Sequence, residues 1–182
     1  MPALPSARHL NRFFLLSWLI AVVQVAGLQG ARQFTEAAVA GWTLAATASY
    51  AFIYLLPALL LTHLLRRLLA YRTMRSAPAL LAATAIGLTG LTQVLLFADR
   101  LIHDMYGFHI NGFVIDLVLT PGGIAALGAG MGTRIAAGLI VLAFFAAQAG
   151  AYAWVMRHDG AGSWLGNIRW RWVLLSLVLL ST

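Results

Sequence analysis

The chain has 182 residues, of which 62% are hydrophobic and only 9% are charged, so its surplus of apolar side chains must face lipid and an ordinary soluble domain is excluded. The absence of cysteine excludes a disulfide framework, a thiol nucleophile and a thiolate metal site. The net charge of +7 comes entirely from arginine, and in a chain this apolar it indicates the flanks of membrane spans rather than nucleic-acid binding.

The N-terminal third predicts two membrane spans, at residues 13–30 and 37–65. A bilayer core needs about 20 residues of helix, so the first run is short but sufficient and the second has residues to spare. Pro57 removes one backbone hydrogen bond from the second run and predicts a kink there. Because Arg8 and Arg12 precede the first run, a cleaved signal peptide is the competing interpretation of the N-terminus.

A short basic loop separates the second span from a third span, predicted at 77–98. The loop contains four arginines, Arg66, Arg67, Arg72 and Arg75. Two functions stay open for them: binding an anionic lipid such as cardiolipin in the inner leaflet, or only fixing the topology. Small residues recur every fourth position in the third span, at Ala79, Ala83 and Gly87, and predict a face on which another helix packs closely.

The stretch 99–134 is too polar to cross a bilayer and too apolar for a solvated linker, which is typical of a segment at a membrane surface. Residues 99–108 have apolar side chains at helical spacing and predict a short amphipathic helix. Asn111 is placed to cap a second short helix over 112–119. Residues 120–123 then supply a cap, a proline and two glycines, and they lead to a third short apolar piece over 124–127. We therefore expect two or three short helices over the outer ends of the spans.

A fourth span is predicted at 135–156, and a fifth apolar run covers 172–182. Eleven residues of helix reach only ~16 Å, about half the hydrocarbon core, so we expect a fragment whose last helix is truncated. The predicted fold is an all-α, polytopic integral membrane protein with five transmembrane helices and short interfacial helices between helices 3 and 4. Gln24 and Gln93 lie within spans and are expected to form hydrogen bonds between helices.

The distribution of arginine predicts the orientation. With the N-terminus inside, only Arg32, Arg100 and Arg134 of the 12 arginines fall on the outer side. Such a bias over short loops favours a cytoplasmic N-terminus under the positive-inside rule. Five spans then place the C-terminus outside the cytoplasm.

The central stretch resembles a known membrane domain. The third predicted span ends in Asp99-Arg100, and it is followed by YGFHINGFV at 106–114 and by TPGG at 120–123. This pattern is similar to the N-terminal transmembrane domain of the sulfatase-like, lipoteichoic acid synthase-like inner-membrane proteins of bacteria, in the alkaline phosphatase superfamily. The five-span layout is also similar to that family.

The resemblance implies that residues 1–182 form a membrane domain that precedes an extracytoplasmic domain with a threonine nucleophile and a divalent metal, Mn or Zn. All of those groups would lie beyond residue 182. The resemblance therefore implies no catalytic residue, metal ligand or cofactor within residues 1–182. The implied function is the membrane anchor and lipid-access domain of a phosphotransferase or hydrolase, acting on lipid headgroup or envelope glycan esters at the outer face of the inner membrane. Its expected partners are membrane phospholipid, anionic lipids and its own outer domain, but no nucleic acid.

Two other functions stay open. One branch of the resembled family implies a non-catalytic regulator that senses lipid and binds a membrane partner. A small stand-alone channel or transporter is a third hypothesis, but no Asp, Glu or Arg falls in the middle of a predicted span, and transporters usually need such groups.

The candidate binding residues of this stretch are Arg100, His109, Asn111 and Arg134. We expect them to hold a lipid phosphate or to dock the outer domain, because arginine is a good phosphate ligand; simple interfacial anchoring is the alternative. Asp99 and His103 stand one helical turn apart and are of metal-ligand type. Since no HExxH or comparable pattern is present, caps and ion pairs explain them equally well and no metal is predicted.

Overall fold

The computed structural model describes residues 4–28, 37–71, 74–121 and 130–158. Within these ranges 88% of residues are helical and there is no strand. The helices are α1 (Ala7–Leu28), α2 (Ala37–Ala70), α3 (Ala77–Tyr106), α4 (Gly112–Leu119) and α5 (Met131–Arg157). Among them α1, α2, α3 and α5 are long and apolar enough to cross a membrane. The prediction of an all-helical fold is therefore confirmed for the described residues, and four long apolar helices agree with the predicted multi-pass membrane protein. The fifth predicted span, 172–182, lies outside the described residues.

The long helices extend beyond the predicted spans. The short amphipathic helix predicted over 99–108 is not a separate element, because α3 continues to Tyr106 and includes most of these residues. Likewise, Arg66 and Arg67 belong to the last turns of α2 and not to a loop. Neither 91–106 nor 58–70 contains a glycine or proline that would end a helix, so each helix continues until the next turn. In α3 that turn is made by Gly107, whose φ of 73° favours glycine.

The four long helices alternate in direction, and α1 and α3 form the central pair. Each of these two helices contacts all the other long helices, whereas α2 and α5 do not contact each other. Phe13 at the start of α1 packs edge-on against Tyr152 near the end of α5, with ring centroids 5.3 Å apart. We call this end of the bundle, where α1 begins and α2 and α5 end, the N-terminal end. The opposite end, which carries α4, is the α4 end.

Buried polar side chains join α1, α3 and α5 within the apolar core. Ser17 donates a hydrogen bond of 2.6 Å to Oε1 of Gln148, and Gln93 donates one of 2.9 Å to the carbonyl oxygen of Ser17. Gln24 in turn donates to Oε1 of Gln93. The predicted interhelical role of Gln24 and Gln93 is thereby confirmed. Such bonds suit a membrane bundle, because lipid offers the amide groups no alternative partner.

A close approach of α3 to a neighbouring helix occurs at a glycine that was not predicted to pack. A Cβ atom added to Gly90 would lie 2.8 Å from the ring of Phe145, so these two residues fix the approach of α3 and α5. The predicted small-residue face points elsewhere, because Ala79 and Ala83 are exposed. The sequence spacing identified small residues on α3. Which of its faces packs against another helix depends, however, on where the neighbouring helices lie.

Candidate functional site

A carboxylate on α3 organises the connection to α4. Asp99 is only 13% exposed, and its Oδ2 lies 2.8 Å from Nδ1 of His109. Its Oδ1 accepts a hydrogen bond of 2.6 Å from the backbone N–H of Ile110. Because Gly107 reverses the chain after Tyr106, the 107–111 linker folds back along α3 and reaches this carboxylate.

The predicted second short helix is present as α4, with the predicted cap. Oδ1 of Asn111 accepts a hydrogen bond of 3.2 Å from the backbone N–H of Val114. At the other end, the backbone N–H and the hydroxyl of Thr120 both donate to the carbonyl oxygen of Asp116. Thr120 therefore closes α4. The third apolar piece, predicted over 124–127, lies outside the described residues.

A cavity of about 530 Å³ lies between α2 and α3 beside this linker. Its walls are mainly aliphatic, with Leu61 of α2 and Leu91 and Leu95 of α3 among them. Ile110 of the linker and Ile115 of α4 also line it. The three leucines are each about half exposed, at 49–51%, so the cavity opens sideways at the surface of the bundle. In a membrane-spanning bundle this opening faces lipid.

The polar lining of the cavity is concentrated near the α4 end. Asp99 and His109 line it there, together with Tyr54 of α2. Thr92 also contributes, but its hydroxyl already donates to the carbonyl oxygen of Leu88 at 2.9 Å. The site therefore offers a carboxylate and an imidazole beside a long apolar surface.

Of the four predicted site residues, the structure places only His109 at the lining of this cavity. Asn111 is used as the α4 cap, and Nε of Arg100 lies 3.7 Å from the carboxylate of Asp104 one turn along α3. Arg134 lies in the first turn of α5, where its side chain is exposed. The structure thus separates the roles of these residues instead of joining them in one cluster.

Sequence reasoning missed Asp99 as the organising residue, although it identified Asp99 and His103 as residues of metal-ligand type. The ring of His103 stacks on that of His109, with centroids 4.7 Å apart. Even so, among the described residues no three His, Asp or Glu side chains are grouped so as to hold a metal ion. The signal available in the sequence was Gly107, which marks the reversal that brings His109 back to Asp99.

The arginines of the predicted basic loop lie apart from this cavity, at the N-terminal end. Arg66 and Arg67 are on α2, and the exposed Arg75 is in the turn that precedes α3. Arg72 lies outside the described residues.

Comparison with known proteins adds no family to this description. No protein-family model, curated protein or solved structure matches the chain.

Proposed function

We propose that this chain is a membrane domain that binds a lipid-like amphiphile between α2 and α3. The apolar chain of the ligand lies against the leucines, and its headgroup lies at Asp99 and His109. The observation that carries this proposal is a cavity of about 530 Å³ with aliphatic walls, polar groups near one end and a lateral opening. Ligand sites typically have volumes of roughly 300–1,000 Å³ and combine apolar walls with few polar groups.

The headgroup chemistry follows from Asp99. A carboxylate only accepts hydrogen bonds, so it favours a headgroup that carries hydroxyl or ammonium donors and disfavours a bare phosphate at the same point. The exposed imidazole of His109 adds a second polar contact beside it. The phosphate contacts expected of Arg100 and Arg134 would then lie outside the cavity.

The wider proposal places this domain in the bacterial inner membrane, with the N-terminus in the cytoplasm and α4 at the outer interface. Phe113 and Leu119 of α4 are 68% and 75% exposed, which supports contact with lipid or with another protein domain. A fifth helix over 172–182 and a sulfatase-like outer domain that receives the bound lipid complete the proposal. Their support is the sequence resemblance.

Filling the cavity tests the proposal. Thr92→Phe adds a ring to the cavity lining, and Thr133→Phe makes the same change at an exposed position of α5 that does not line the cavity. The chain is reconstituted in nanodiscs with a phosphatidylethanolamine that carries a photoactivatable diazirine in its acyl chain. Crosslinked residues are then mapped by mass spectrometry.

In the unaltered chain we expect crosslinks to concentrate on the cavity-lining parts of α2 and α3. Thr92→Phe should lower them about tenfold, which corresponds to 1.4 kcal/mol of binding, and Thr133→Phe should leave them unchanged. Crosslinks spread evenly over all lipid-facing surfaces, or insensitive to Thr92→Phe, would show that no ligand occupies the cavity.

A further inference from the structure

The hydrogen bond between His109 and Asp99 determines which ring nitrogen of His109 carries a proton. Oδ2 of Asp99 lies 2.8 Å from Nδ1 of His109. An ionised carboxylate only accepts hydrogen bonds, so Nδ1 is the donor. In the neutral imidazole the other nitrogen, Nε2, then carries a lone pair and only accepts. Nε2 has no hydrogen-bond partner among the described residues, so this acceptor is available to a ligand.

Two further contacts hold the ring of His109 in this orientation. The ring of His103 stacks on it, with centroids 4.7 Å apart and an angle of 24° between the two planes. The backbone N–H of the next residue, Ile110, donates to the second oxygen of the Asp99 carboxylate at 2.6 Å. The side chain of His109 is nevertheless 62% exposed, and it lines the cavity. One edge of the ring is therefore fixed while the rest stays accessible.

The polar end of the cavity is consequently rich in hydrogen-bond acceptors. Asp99 accepts only, and His109 presents Nε2. The hydroxyl of Tyr54 both donates and accepts, so it does not distinguish one headgroup from another. Among the described residues that line the cavity there is no lysine or arginine. A headgroup that enters this end therefore needs hydrogen-bond donors of its own.

We propose that the polar end of the cavity selects an amphiphile with a primary ammonium headgroup, and that Nε2 of His109 accepts one of its N–H bonds. This inference rests on the proposed function, because it names the headgroup of the amphiphile bound between α2 and α3. A primary ammonium presents three N–H donors, as a lysine side chain does, and it can engage Asp99 and His109 together. Hydrogen bonds from a charged donor to a carboxylate are among the stronger ones in proteins.

The quaternary ammonium of a choline headgroup is the informative comparison. It carries the same charge as a primary ammonium but has no N–H donor, so it leaves both acceptors without a partner. A polar group that loses its partner away from bulk water is unfavourable. The number of N–H donors, and not the charge, should therefore decide which headgroup binds.

A series of photoactivatable lipids tests this distinction. Four probes share one diazirine-bearing acyl chain and differ only in the headgroup: phosphatidylethanolamine, its N-methyl and N,N-dimethyl derivatives, and phosphatidylcholine. Each is added in trace amount to phosphatidylcholine nanodiscs that contain the purified full chain, at about pH 8, where free imidazole is neutral. Crosslinks on the cavity-lining parts of α2 and α3 are divided by those on the exposed Leu139 and Leu142 of α5.

Two matched substitutions separate binding from structure. In His109→Asn the amide N–H₂ takes the position of Nδ1 and can still donate to Asp99, but the acceptor at Nε2 is lost. His158→Asn makes the same change at an exposed histidine of the N-terminal end, whose Nδ1 lies 2.9 Å from the carbonyl oxygen of Trp154. Hydrogen exchange at the Ile110 amide reports whether the linker keeps its position.

In the unaltered chain we expect cavity crosslinking to fall with each added methyl group, by about tenfold from phosphatidylethanolamine to phosphatidylcholine. His109→Asn should lower this preference about fivefold, as expected for one typical hydrogen bond, with unchanged exchange at Ile110. His158→Asn should keep the full preference. If exchange shows that His109→Asn releases the linker, the methylation series in the unaltered chain decides the matter. Free phosphoethanolamine should not compete, because it lacks the acyl chain that lies against the leucines.

Three results would overturn the inference. Equal crosslinking by all four probes, still lowered by Thr92→Phe, would mean that the cavity holds lipid without reading its headgroup; the proposed function would then stand alone. A preference that persists in full in His109→Asn would mean that methyl bulk, and not hydrogen bonding to Nε2, excludes choline. Displacement of the probe by free phosphoethanolamine would mean a site for a soluble amine. Crosslinks that are insensitive to Thr92→Phe would instead remove the proposed function itself.

Discussion

At the scale of single residues, Asp99 determines how the α3–α4 connection is held. It is nearly buried, and it accepts one hydrogen bond from a backbone N–H and pairs with one imidazole. Hydrogen bonds to a carboxylate are stronger than those between neutral groups, so both contacts favour the folded-back linker. Asp99 is thus a structural residue of the linker as well as a polar group of the cavity.

Replacing this carboxylate should release the linker and α4. In Asp99→Ala the N–H of Ile110 loses its acceptor, and a hydrogen bond to a charged group contributes about 1.5–3 kcal/mol. We therefore expect hydrogen exchange at the Ile110 and Val114 amides to become about 10- to 100-fold faster. Asp104→Ala is the control, because Asp104 makes only an exposed ion pair with Arg100. Equal exchange in the two variants would contradict this role of Asp99.

The helix cap made by Asn111 could be predicted from the sequence, whereas the contacts of Asp99 could not. The cap by Asn111 involves a backbone N–H three residues away, so local spacing was enough to predict it. The pairing of Asp99 with His109 spans ten residues and depends on the reversal at Gly107. Local periodicity carries no information about such a contact, and the organising role of Asp99 was missed for that reason.

At the scale of the helices, the approach of α3 to α5 depends on Gly90. A methyl group there would meet the ring of Phe145 at 2.8 Å, so Gly90→Ala must displace that ring. Overpacking of this kind typically lowers the free energy of unfolding by about 1–3 kcal/mol. Gly87→Ala is the matched control, because its new methyl group meets open space and alanine is the better helix former by up to ~1 kcal/mol.

The measurement is the Tm of the purified chain in one detergent. Gly90→Ala should lower the Tm, Gly87→Ala should keep or raise it, and adding Phe145→Leu to Gly90→Ala should recover part of the loss. A Gly90→Ala chain as stable as the Gly87→Ala chain would contradict close packing between α3 and α5.

The presence of the long helices was easier to predict from the sequence than the residues at which they begin and end. Long apolar runs located all four long helices, because the length needed to cross a bilayer is a strong constraint. Their ends were predicted where polar residues begin, at Asp99 and Arg66, but a helix ends where its backbone turns and not where its side chains become charged. The packed face of α3 was not predictable either, since Ala79 and Gly90 are both small and only the neighbouring helix distinguishes them.

At the scale of the whole molecule, charge is distributed unevenly between the two ends of the bundle. All acidic residues within the described ranges lie at the α4 end, whereas the described arginines of α1, α2 and the turn before α3 lie at the N-terminal end. Composition alone predicted a membrane protein. Because the four long helices alternate in direction, each described charged segment can now be assigned to one end of the bundle. Under the positive-inside rule the arginine-rich end faces the cytoplasm in the proposed orientation.

Cysteine labelling tests that orientation, and the chain suits it because it contains no cysteine of its own. Met74 precedes α3 and is 51% exposed, and Tyr106 is the last residue of α3 and is 55% exposed. In intact bacterial cells a membrane-impermeant maleimide should label Tyr106→Cys at once. Met74→Cys should react only after the inner membrane is permeabilised, and the unaltered chain should not react at all.

The two labelling positions distinguish two ways in which the proposed topology could be wrong, because they lie at opposite ends of α3. Labelling of Met74→Cys and protection of Tyr106→Cys in intact cells would reverse the proposed orientation but keep α3 as a span. Labelling of both residues from the same side would contradict the crossing of α3 itself. It would also remove the cavity from its proposed lipid environment, since α3 supplies one wall of that cavity.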